Sequence, residues 1–153
     1  MSWVWRGLVA CAAFALAGPA AAQLSLTTTR NLQFGSFVAS GGGTITVDTN
    51  GARTRSGSVF LVPSSSASAR LTVSDTDPAN LNKIFDISLP AGATLDNGSG
   101  NTMDLSNFTS DPPGSSQFLG SGQAFTVGAT LAVGAGQARG VYAGSFNITV
   151  NYE

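Results

Sequence analysis

The sequence predicts an all-β fold, an antiparallel β-sandwich, on three observations. Apolar residues along most of the chain recur every second position, which places them on one face of a strand rather than on one stripe of a helix. The strand-like runs are short, and turn residues separate them at intervals typical of sandwiches and barrels. Nineteen Gly, abundant Ser and Thr and a single Lys suit turns and strands, and no stretch keeps a helical period.

In chain order, Leu24 and Leu26 alternate with polar residues, and Leu32, Phe34 and Phe37 follow. Gly43 to Asp48 is a plainly alternating strand, and Asn50-Gly51 predicts a two-residue turn after it. Further strands are predicted over Ser58 to Val62, Ala69 to Val73, Ile84 to Leu89 and Met103 to Phe108, the last two flanking an Asn97-Gly98-Ser99-Gly100 turn. Ala124 to Val133 and Val141 to Tyr152 complete the set. Pro63-Ser64-Ser65-Ser66 and Asp111-Pro112-Pro113-Gly114-Ser115-Ser116 read as loops, because proline cannot donate to a central ladder. Both are too short to link two domains.

The first 22 residues read as a secretory signal peptide. Arg6 supplies a weak positive start, Leu8 to Leu16 an apolar run, and Ala20-Ala21-Ala22 a small-residue cleavage pattern before Gln23. Residues 23–153 then form one domain. The rival reading makes Leu8-Val9-Ala10-Cys11 a lipoprotein signal, but the apolar run continues past Cys11 to a better cleavage site. That run is too short to span a bilayer, so the mature chain is expected to have no transmembrane segment and to pass through the periplasm to the cell surface or an extracellular filament. Mass spectrometry of the native protein should find an N terminus at or close to Gln23; a diacylated Cys11 would contradict the assignment.

Composition and charge exclude much chemistry. At 42% hydrophobic and 10% charged residues the chain is not disordered, and a formal net charge of −1 leaves no basic excess for a nucleic-acid partner. Cys11, Trp3 and Trp5 all lie in the signal segment, and the sequence has no His. The mature chain therefore has no disulfide, no Cys or His metal site and no Ser-His-Asp or Cys-His arrangement. Seven Asp, Glu153 and Lys83 are what remain for acid or base work. Neither an enzyme nor a cofactor is expected.

Three smaller features have bland and functional readings. Asp75-Thr76-Asp77-Pro78-Ala79-Asn80 offers oxygen ligands for calcium, yet lacks the glycine and distal Glu of a standard loop, and Asp and Asn commonly start turns. Arg53 and Arg55 have the charge to grip an anionic sugar or phosphate, although edge-strand charges also discourage aggregation. Asp104 with Asp111, or Asp75 with Asp77, are the pairs from which a glycosidase would be built, without a Trp sugar platform.

The most ordered signal lies at the end. Tyr142, Gly144, Phe146, Ile148, Val150 and Tyr152 alternate with small or polar residues, as in a strand with one buried face. Leu32-Gln33-Phe34-Gly35, the Gly51 to Gly57 stretch, Val127-Gly128-Ala129-Thr130-Leu131 and Gly140 to Phe146 together resemble the exported bacterial family catalogued as domain of unknown function 4402. That family is similar to spore coat U proteins and to the pilin-like domains of chaperone-usher fimbriae, which are incomplete immunoglobulin-like sandwiches. The spacing of Gly140 and the penultimate Tyr152 also resembles the chaperone-recognised C terminus of pilins.

The resemblance implies an immunoglobulin-like, pilin-like and incomplete sandwich. Its implied partners are other copies or related pilin subunits, a periplasmic chaperone and an outer-membrane usher. Gly140, Tyr142, Phe146, Ile148, Val150 and Tyr152 would form the assembly and chaperone-recognition strand. Leu24, Leu26 and Thr28 belong either to a donor segment, with the domain starting near Asn31, or to the first domain strand of a subunit that does not donate. Val141 to Tyr152 is expected to pair along one side only, beside an apolar groove that another chain covers. A monomeric surface module for adhesion or carbohydrate binding is the alternative function.

Overall fold

The computed structural model describes residues 24–153, so the readings made above for residues 1–22 lie outside the described residues. Ten strands follow one another: β1 (Ser25–Arg30), β2 (Phe37–Val47), β3 (Arg53–Leu61), β4 (Ala69–Ser74), β5 (Ile84–Ser88), β6 (Ala93–Asp96), β7 (Thr102–Asp111), β8 (Ser115–Gln117), β9 (Gln123–Val133) and β10 (Thr149–Tyr152). A single 3-10 turn, Pro78–Asn80, is the one helical piece among the described residues. The protein is all-β and its ladders are antiparallel.

Strand β9 organises the larger sheet, and its sequence explains why. Phe125, Val127, Ala129, Leu131 and Val133 all fall on one face at period two, and all are buried. One edge of β9 carries β7, from Leu105 opposite Leu131 to Asp111 opposite Thr126. The other edge is shared: β4 pairs with Gln123 to Val127, and β2 with Ala129 to Val133. Strands β1, β3 and β6 extend the sheet beyond β4, β2 and β7. Gly128 stands at the change-over, where the backbone at Val47 and Asp48 passes so close that a Cβ would collide with the Val47 carbonyl oxygen. Glycine is the residue that fits such a crossing.

The smaller sheet, in the order β10-β5-β8, packs over one half of the larger one. There Phe85, Ile87 and Phe118 meet Ala69, Leu71, Val73, Phe125 and Val127 in one buried cluster. Over the other half, Ile45, Val47, Val59, Met103, Leu105, Ala129, Leu131 and Val133 form a second cluster with Phe34. The partial cover here is irregular chain, with Leu32, Tyr142 and Phe146 packed against the cluster.

The expected loop over Asp111 to Ser116 instead holds the end of β7 and the start of β8, β6 adds an unexpected strand, and two further details depart from the sequence reading. The β2–β3 connection is not a two-residue turn. Asp48 opens a longer loop, its carboxylate accepting from the amides of Asn50 (2.9 Å) and Ala52 (2.8 Å). This local side-chain bond competes successfully with the tighter turn. The strand expected over Val141 to Tyr152 has a ladder only at Thr149–Tyr152, opposite β5, because β5 is just five residues long. Residues 141–148 have one isolated bridge, Ala143 to Asp96.

Candidate functional site

The uncovered half of the sandwich opens as a cleft of about 1600 Å³. Its floor is the core itself, where Leu71, Met103, Leu105 and Leu131 lie at the bottom. One wall is Leu26, Thr28 and residues 31–39; the other is residues 137–149. The volume exceeds the roughly 300–1,000 Å³ of ordinary small-molecule pockets. Residues 141–149 would run about 30 Å if fully extended at strand rise, the scale of an added strand.

The first wall is held by Arg53. Its Nη1 donates to the carbonyls of Phe34 (2.8 Å) and Ser36 (3.0 Å), and its Nη2 to the carbonyl of Val62 (2.8 Å). Gly35 makes room for it, because a Cβ there would sit 2.5 Å from Arg53 Nη1, and the backbone has φ +69°. Arg53 is therefore a clasp joining two loops rather than a free ligand for an anion. Arg55 remains on the surface, its guanidinium 5.1 Å from the Phe60 ring centre.

The second wall carries Gly140, Tyr142, Phe146 and Ile148 of the predicted assembly residues, while Val150 and Tyr152 lie beyond it in β10. Gly140 is exposed beside the Asn97 side chain. The Tyr142 hydroxyl donates to the Ala138 carbonyl (2.7 Å) and accepts from Gln137 Nε2 (2.8 Å), which fixes the bend entering the wall. Phe146 joins both hydrophobic clusters and packs tilted on Phe108 with ring centres 4.9 Å apart. Ile148, Val150 and Tyr152 are half-buried against the Phe85 cluster. The N-terminal residues are seated within the same molecule. Leu26 and Thr28 belong to β1, opposite Val73 and Leu71 of β4, and Leu24 and Leu26 pack on the Phe85 cluster. In this structure the segment is the first strand of its own domain.

Sequence reading did not foresee a polar network at the foot of β10. The Asp75 carboxylate, with the residue 6% exposed, accepts from the Asp77 amide (2.8 Å), Asn80 Nδ2 (2.8 Å) and the Tyr152 hydroxyl (2.8 Å). Asp75 and Tyr152 stand 77 positions apart, beyond the reach of any local pattern. Among the described residues no group of three or more acidic, His or Cys side chains is placed to hold a metal ion. Asp104 accepts from the Thr94 hydroxyl (3.2 Å) on the surface.

These contacts shift both groups. Hydrogen bonds, first from the Asp77 amide, hold the Asp75 carboxyl below its ordinary 3.8. Burial first, and then Asp75, push the Tyr152 phenol up to about 12. Linkage sets the direction at each end of the pH scale. The Asp75 contribution is present above 3.8 and is lost as pH falls through its lowered value. The Tyr152 contribution is complete below 10 and is lost as pH rises through about 12. Melting temperature against pH should therefore fall at both ends, and Tyr152→Phe should shrink the alkaline fall.

An antiparallel β-sandwich with a long cleft along one half is the class that fold and site define. The chain matches the family model described as Domain of unknown function (DUF4402) over residues 24–152, and it belongs to that family. No curated protein matches it, and neither does any solved structure.

Proposed function

We propose that the protein is an exported structural or adhesion subunit of the bacterial cell surface, pilin-like in its assembly. An extended strand from another subunit, or from a periplasmic chaperone before it, fills the cleft. One observation carries this reading: a long cleft runs beside a wall whose backbone, over 141–148, has one bridge among the described residues. An added strand would satisfy those amides and carbonyls, while its alternate side chains covered the half-buried Leu32, Phe37 and Phe146. Transport by an outer-membrane usher belongs to the same reading. The carbohydrate-binding alternative draws no support from the tyrosines, since both are hydrogen-bonded within the chain.

The test is photo-crosslinking in the native host from a benzoylphenylalanine placed at position 148. Adducts containing another copy, a related subunit or a periplasmic chaperone are the expected result. A protein that is crosslinked only within itself, and that runs as a monomer when recovered from the cell surface, would overturn the proposal.

A further inference from the structure

Strand β10 is four residues long and, among the described residues, has a ladder on one side only. A strand so short, at a sheet edge, belongs to the part of a fold that opens most easily. The side-chain network beneath it is correspondingly elaborate. Asp75 is fixed from its backbone, whose carbonyl accepts from Ser121 Oγ (2.6 Å). Asn80 is 1% exposed and is fixed at both ends of its amide, Nδ2 to Asp75 and Oδ1 from Lys83 Nζ. Lys83 Nζ also lies 5.7 Å from the Tyr152 ring centre, and Phe118 meets that ring edge-on at 6.2 Å. Asp75 and Asn80, the groups around the phenol, are thus each held by bonds that do not involve it.

We propose that Asp75 and Tyr152 form a latch, and that this latch, more than the ladder to β5, decides whether the C-terminal strand is docked. Asp75 is a positioning residue acting through Tyr152. The site requires a carboxylate, because all three partners of its oxygens are donors. An Asn side chain would turn its own NH₂ either toward the Asp77 amide or toward Asn80 Nδ2, setting donor against donor on either choice, and in the second case the Tyr152 hydroxyl would have to turn and accept instead of donating. With the latch released, the phenol loses its only acceptor in this network and β10 retains its short ladder. The side chain of the penultimate tyrosine is then an internal anchor, and a partner at this edge meets backbone. The inference holds whether or not the cleft receives a strand from another molecule.

Hydrogen exchange on the mature protein tests this with Asp75→Asn and with Tyr152→Phe, which removes a single hydroxyl. Loss of a hydrogen bond to a charged group should speed exchange of the amides of residues 149–153 by about tenfold or more in each variant. Amides of β9 should exchange as in the wild type. A second readout is spectroscopic. The sequence has two tyrosines, so Tyr142→Phe leaves Tyr152 as the one absorbing phenol in an ultraviolet titration. Asp75→Asn in that background should bring its midpoint down from about 12 toward the ordinary 10. Asp77 and Lys83, the other charged groups near the ring, stay in place as internal controls. If Asp75→Asn does not fold, exchange in Tyr152→Phe decides. Exchange at 149–153 that equals wild type, or that rises only in step with β9, would overturn the latch. So would a Tyr152 midpoint that ignores Asp75.

Discussion

Gly128→Val should lower the stability of the domain by about 3 kcal/mol or more, because the new side chain meets rigid backbone rather than a yielding side chain. Its Cβ would collide with the Val47 carbonyl and press on Asp48, at the point where β9 changes partner from β4 to β2. Relief requires one of the two ladders to move. A loss of that size is a large part of a typical 5–15 kcal/mol total, and would show as a melting temperature roughly 10 °C lower. Gly42→Ala is the control: a Cβ there meets the Ala135 amide at an ordinary 3.6 Å. It should change stability by no more than about 0.5 kcal/mol. Equal melting temperatures for Gly128→Val and wild type would show that the crossing is looser than described.

Ile148→Asp should be the most damaging substitution in the cleft wall. Ile148 lines the cleft and packs against the Phe85 cluster. A carboxylate there loses apolar burial against the Phe85 cluster, a change of about 3 kcal/mol even at half-burial. Asn147→Asp, one residue earlier, turns its side chain to solvent and should cost next to nothing. Chemical denaturation of both variants measures the difference. On the proposed assembly reading, Ile148→Asp also places charge where the added strand would lie, so subunit adducts should disappear even from the fraction that folds.

The sequence made strands legible where burial imposes a period of two on a long run. Val127, Ala129, Leu131 and Val133 are the clearest case, and the inward turn of Phe146, Ile148 and Val150 follows the same rule. It failed where pairing, not burial, makes the strand. β8 is Ser115–Gln117, wholly polar, and becomes a strand by lying opposite Ile84 to Asp86. β6 is four residues long, too short for alternation to register. Arg53 was read as a surface charge because its acceptors are backbone carbonyls on two other segments, and no residue pattern records the position of a carbonyl. The Asp75 network was hidden for the related reason that only folding brings its members together.

The sharing of β9 among three neighbours also dictates when the domain can fold. Thr46 and Thr130, which face each other across β2 and β9, are 84 positions apart. A chain delivered N terminus first presents β2 and β4 long before the strand that joins them. Early on it can close the β2–β3 hairpin and the β1–β4 pair, and neither builds the core. Such a topology has a high contact order, and slow folding follows from the loop closure it demands. Until β9 emerges, the apolar faces of β2 and β4 stay open to solvent. If the chain is exported as proposed, passage through a translocation pore, which requires an unfolded chain, competes with no complete core.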